Sequence, residues 1–104
     1  MRRRGFAMQL KEGCSREYKR RHDEIWPELV EELHRAGVRD YVIFLDEHTG
    51  RLFASQKVTE HNQADSLAGR EVVQRWWAFM ADLMETNQDN SPVVQELSEM
   101  FYQD

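Results

Sequence analysis

A single cysteine, Cys14, stands among 104 residues, so the chain has no internal disulfide and no cysteine pair to hold zinc. Two prolines and five glycines are too few for a flexible linker. With no internal repeat and no low-complexity segment either, residues 1–104 read as one domain. No apolar run reaches the length of a signal-peptide core or a membrane span, which predicts a cytoplasmic protein without a membrane partner. Basic residues are outnumbered, 14 Lys and Arg against 19 Asp and Glu, for a net charge of −5. Phosphate binding needs clustered cations, so nucleic acid is excluded as a partner. The short run Arg2–Arg4 reads as a solvated terminus. The four histidines, His22, His34, His48 and His61, show no H-x-x-x-H spacing, and there is no Gly-rich phosphate loop. We therefore expect no metal and no cofactor. No activated-serine or paired-cysteine apparatus for nucleophilic catalysis is visible.

The remaining sequence is strongly patterned. Arg4–Leu10 alternates as a strand, with Phe6, Met8 and Leu10 on one face and Gly5, Ala7 and Gln9 on the other. After the turn Glu12–Ser15, with Ser15 as a candidate cap, a helical pattern runs to about Ala36 and stops at Gly37. Pro27 interrupts it, because proline disfavours helix in the residue before it and lacks a backbone donor. Two helices with a break at about Asp23–Trp26 are expected, the second capped by Asp23. Tyr41–Leu45 is a strand, Glu47–Gly50 a turn and Arg51–Val58 the returning strand. Thr59 is expected to cap a short helix to Ala68, and Glu71–Glu85 to form a long helix. Asn87–Pro92 reads as a polar loop, and Leu97–Gln103 as a closing strand or turn plus strand. The order strand, helix, strand, strand, helix, strand is that of an α+β, ferredoxin-like split βαβ sandwich. Tyr41–Leu45 is apolar on both faces, yet the helices can cover only one. That imbalance predicts a homodimer through the uncovered sheet face.

His22 is the one histidine in a suggestive setting. Residues four apart share a helix face, so Tyr18 lies one turn below it and Trp26 one turn above. An imidazole with a near-neutral pKa beside aromatic rings suits acid–base chemistry on a small organic ligand. A solvated helix-end histidine is the plainer alternative. Trp76 and Trp77 fit one broad buried stripe, or a sugar platform in which a ring covers an apolar sugar face and its N–H bonds a hydroxyl. Tyr41 fits either the core or a site.

The segments Tyr18-Lys-Arg-Arg-His22, Ile25-Trp-Pro-Glu-Leu29, Tyr41 with its strand, Gln74-Arg-Trp-Trp77 and Asn87-Gln-Asp-Asn-Ser-Pro92 together resemble the L-rhamnose mutarotase family along nearly the whole chain. Gln88 departs from the family's proline after Asn87. The resemblance implies a dimeric α+β barrel fold, which agrees with the element order above, and interconversion of the α and β anomers of L-rhamnose without a cofactor. It places the proton donor on His22 and sugar contacts on Tyr18, Tyr41, Trp76 and Trp77. Other small dimeric proteins of this architecture are oxygenases or plain ligand-binding modules. Oxygen uptake or a haem band would mark the first, and sugar binding without faster anomer exchange the second.

Overall fold

The computed structural model describes all 104 residues. In chain order the elements are β1 (Arg2–Gln9), α1 (Ser15–Asp23), α2 (Pro27–Arg35), β2 (Val38–Asp46), β3 (Arg51–Val58), α3 (Glu71–Met80) and β4 (Gln95–Leu97). The strands lie in the order β2-β3-β1-β4, every neighbouring pair antiparallel. Each helical crossover therefore skips one strand position, as in the split βαβ sandwich.

The strand period decides which side chains meet the helices. Phe6 pairs with Ala54 and Met8 with Leu52, and Leu52 and Ala54 pair in turn with Leu45 and Ile43. On this face Phe6, Met8, Leu10, Leu52 and Ala54 are buried against Leu29, Val73, Trp76 and Met80 of the helices. The other face carries the rows Phe44, Phe53, Ala7, Gln95 and Val42, Ser55, Gly5, Leu97. Nothing in the chain covers it. Phe44 keeps 66% of its surface exposed, and Val42, Phe53 and Leu97 are exposed too. The doubly apolar strand anticipated this bare face.

The helix break falls as Pro27 predicts. Trp26 is extended (ψ 127°), and Pro27 opens α2. The expected caps do not form. Asp23 turns to Lys19 Nζ at 2.7 Å, and neither helix start has a side-chain cap. Gly37 does stop α2, at φ +95°.

Three segments depart from the sequence pattern. No helix starts at Thr59; a short 3₁₀ turn forms instead at Ala64–Gly69. Residues 59–63 are strapped to the end of α2, with Thr59 N donating to Gly37 O at 3.0 Å and Gln63 N to Ala36 O at 2.7 Å. Asn62 also donates to Thr59 O at 2.7 Å, which consumes the backbone groups a helix would use. The long helix ends at Met80, and a 3₁₀ turn covers Ala81–Leu83. Lys11 N donates to Leu83 O and Glu85 N to Gln9 O, so pairing with the end of β1 draws this stretch out of the helix. The closing strand is Gln95–Leu97 rather than Leu97–Gln103. Its ladder stops at Gly5, short of the β1 residues Arg2–Arg4, and Met100, Phe101 and Tyr102 are left exposed.

Candidate active site

The helix layer leaves a cavity of about 740 Å³ between the helices and the β2 side of the sheet. That is within the range of roughly 300–1,000 Å³ usual for small-molecule sites. Tyr18 and His22 of α1, Tyr41 of β2, and Trp76 and Trp77 of α3 all line it. The five residues singled out in the sequence are thus brought together by one α1–β2–α3 arrangement.

His22 occupies the last turn of α1. Its Nδ1 lies 3.0 Å from the Tyr18 carbonyl oxygen. A carbonyl can only accept, so Nδ1 carries the proton, and in the neutral ring Nε2 keeps its lone pair. The ring lies against the Tyr18 ring, with centroids 4.4 Å apart, and meets the Trp76 ring nearly at right angles at 5.4 Å. Burial is the main cause of a His22 pKa below its usual 6.5, set only partly against the carbonyl hydrogen bond, which favours the charged form. The resting ring is therefore neutral at physiological pH, with an accepting nitrogen available.

Burial likewise raises the Tyr18 phenol well above the usual tyrosine range, with a smaller contribution from nearby Tyr41. Tyr41 keeps 40% of its surface open, yet the protein crowded around it pushes its phenol up to about 12. On either measure both phenols stay protonated at neutral pH and act as hydroxyl donors and acceptors. Tyr18 and Tyr41 hydroxyls have no protein partner, and no side-chain polar atom is both buried and unpaired. They remain free to bond a polar ligand.

The two tryptophans divide the readings left open by their spacing. Trp76 is a core residue, buried in the main cluster and in contact with Trp26 (5.1 Å) and Phe79 (5.7 Å) as well as His22. Trp77 is half-buried on the cavity wall. Trp26 is not the aromatic neighbour of His22 that an unbroken helix would have made it. The break at Pro27 carries it to Trp76, Phe79 and the Arg75 guanidinium, and Trp76 takes its place against His22.

Two contributors were not evident from spacing. Asn90 and Pro92 of the 87–92 loop reach the cavity, where Asn90 takes φ +70° and Asn87 Nδ2 donates to Ser91 Oγ at 3.0 Å. Arg21 ties α1 to the end of α3. Its Nε donates to Glu17 at 2.8 Å and its Nη1 to the Phe79 carbonyl at 2.6 Å and to Asp82 at 2.9 Å. Its guanidinium also lies 4.5 Å over the Phe79 ring. Hydrogen bonds from Arg20 and then Arg21 hold the Glu17 carboxyl down at about 2. The Glu17–Arg21 spacing of four was the available signal, but Asp82 is too distant in sequence to be paired from it.

Fold and cavity define a small ferredoxin-like α+β protein whose aromatic-walled cavity is lined by one neutral imidazole. The chain belongs to the L-rhamnose mutarotase family, whose model matches residues 3–103. It is 55% identical over 97 residues to an L-rhamnose mutarotase of Jannaschia sp., covering 93% of each chain. It is 51% identical over 102 residues to one from Formosa agariphila, covering 98% of each. The crystal structure of an L-rhamnose mutarotase from Formosa agariphila superposes with a TM-score of 0.94 over the full length of both chains, at 48% identity.

Proposed function

We propose that this chain interconverts the α and β anomers of L-rhamnose, with His22 moving the proton and Tyr18, Tyr41, Trp76 and Trp77 holding the sugar. The observation that carries the reading is the Nδ1 hydrogen bond to the Tyr18 carbonyl, which leaves Nε2 as the accepting nitrogen of a ring that lines the cavity. Family membership supplies the substrate class.

Ring opening of a pyranose removes the proton of the anomeric hydroxyl and adds one to the ring oxygen as the C1–O5 bond breaks. Both oxygens are bonded to C1, so one nitrogen can serve both. Neutral His22 accepts the hydroxyl proton at Nε2 and, now an imidazolium, is the proton donor to the departing ring oxygen. The aldehyde rotates about C1–C2. The same steps in reverse close the ring on the other face of C1. No electron is transferred and no net charge changes, so the chemistry calls for no cofactor. Positioned proton transfer of this kind is worth about 10²–10⁴-fold in rate.

The assembly we infer is a homodimer through the bare sheet face, acting in the cytoplasm within rhamnose metabolism. Phe44, Phe53 and Val42 are adjacent exposed apolar residues on this face, with Leu97 exposed on its far strand, and monomers seldom leave such a face open. A monomeric mass by light scattering at micromolar concentration would remove that part of the reading. The activity itself is tested by saturation-difference NMR of L-rhamnose with the protein. Accelerated transfer of saturation between the two anomeric protons is expected. Sugar binding with no faster exchange would make the chain a binding module.

A further inference from the structure

The register of β2 against β3 is broken at one place. Val38 pairs with Val58 and Arg39 with Lys57, but the next pair is Val42 with Ser55. Asp40 and Tyr41 together therefore stand opposite the single residue Gln56. This is a two-against-one bulge, and Asp40 is its left-handed residue, at φ +48°. Side chains three apart on a regular strand face opposite ways. The bulge absorbs Asp40, so Val38 packs in the core and Tyr41 still lies toward the same layer, 6.3 Å from the buried Phe6 ring; what the bulge adds is the local twist that sets the angle of the Tyr41 ring. Asp40 itself borders the cavity beside Tyr41, but the partners of its carboxylate lie elsewhere. It reaches Arg3 at 3.2 Å and Lys57 at 3.9 Å, both of which belong to the uncovered face. Bulges sharpen the local twist and re-aim side chains beside functional sites.

We propose that Asp40 is a positioning residue: the bulge it creates aims the Tyr41 phenol into the cavity and thereby sets sugar affinity. This rests on the reading of Tyr41 as a sugar contact. Aspartate suits the position because it tolerates left-handed backbone better than other side chains of its size. Asparagine shares that tolerance and lacks the charge, so it separates conformation from ion pairing.

Deletion of Asp40 is the direct test. It removes the bulge yet keeps parity, since Tyr41 then faces Gln56 alone and Ile43 and Leu45 stay toward the helices. The variant should fold, lose the nuclear Overhauser contact between the Phe6 and Tyr41 rings, and raise KM for L-rhamnose about tenfold with a much smaller change in kcat, the signature of one misplaced hydrogen-bonding group. Asp40→Asn should retain both the ring contact and KM to within about twofold. Asp40→Val keeps the chain length while penalising φ > 0; it reports on the same geometry should the deletion fail to fold, and should shift KM in the same direction. A folded deletion variant with wild-type KM, or an Asp40→Asn variant that loses as much as the deletion, would overturn the proposal. Tyr41→Ala separates the two readings. If it binds L-rhamnose as the wild type does, Tyr41 is not a sugar contact. If it loses affinity while the deletion does not, only the role of the bulge is wrong.

Discussion

Replacing His22 by alanine tests the division between holding the sugar and moving its proton. The ring is wedged between the Tyr18 ring at 4.4 Å and the Trp76 ring at 5.4 Å, and makes one side-chain hydrogen bond, to the Tyr18 carbonyl. It lies outside the main buried cluster. Losing one hydrogen bond and a half-buried ring should cost about 1–2 kcal/mol of stability. For a domain of this size that lowers the melting temperature by roughly 5–15 °C. The protein therefore stays folded at room temperature. The neutral sugar keeps its contacts with Tyr18, Tyr41 and the tryptophan wall, so affinity should fall only a few-fold. The rate should fall by about 10²–10⁴, or roughly 3–5 kcal/mol of barrier. A group that acts mainly in the transition state affects turnover more than ground-state binding. Anomer exchange by NMR, L-rhamnose titration and a thermal melt on the same sample measure the three quantities. Near-wild-type exchange in a folded, sugar-saturated variant would refute the assignment and move the proton transfer to another group.

Three further outcomes follow from the geometry. Burial lowers the folded-state pKa of His22 below 6.5, so its stabilising contribution is complete above 6.5 and is lost as pH falls through the folded value. Exchange should accordingly hold steady down to pH 6.5 and decline only on its acid side; an acid limb centred above 6.5 would mean that the imidazolium is the resting form. Trp76→Phe should lower stability by about 1–2 kcal/mol as well as weaken L-rhamnose binding, whereas Trp77→Phe should weaken binding with little change in melting temperature; unchanged binding in either variant would remove that residue from the sugar contacts. Gly37→Ala should cost about 2–3 kcal/mol by urea denaturation, because φ is +95° and the added Cβ would stand 2.8 Å from Asn62 Cβ; an unchanged midpoint would contradict the packing described.

Much of this architecture was written in short-range pattern. Alternation placed Phe6, Met8 and Leu10 on the core face, and Pro27 and Gly37 marked where helices break and stop. These signals are local steric rules, which is why they survive folding. The misreadings share a cause at longer range. Thr59 and Glu85 have their backbone groups taken by Gly37 and Gln9, residues distant in sequence, and no local propensity reports that competition. Met100–Tyr102 has strand-like composition, but β4 leaves the edge of β1 after Leu97, opposite Gly5, and composition does not report where such pairing ends. His22 and Tyr18 could be grouped from helix spacing alone. That Trp76, and not Trp26, completes their aromatic cluster depends on how α3 crosses α1. The bulge at Asp40 was not legible because the run read as the strand, Tyr41–Leu45, begins just after it; only the three-residue step from Val38 to Tyr41 carries it.

The Arg21 bridge has a consequence for how the site can be altered. By tying α1 to the Phe79 carbonyl and Asp82, it makes the helix that bears His22 and the helix that bears Trp76 and Trp77 a single mechanical part. The opposite wall, Tyr41, Ile43 and Leu45, belongs to the sheet and takes no part in that clamp. On the proposed assignment, His22 and three of the four sugar contacts, Tyr18, Trp76 and Trp77, move together, while Tyr41 belongs to the other part. Redesign toward other aldoses has its natural starting point on β2, where a new contour can be tried against an undisturbed proton-transfer apparatus.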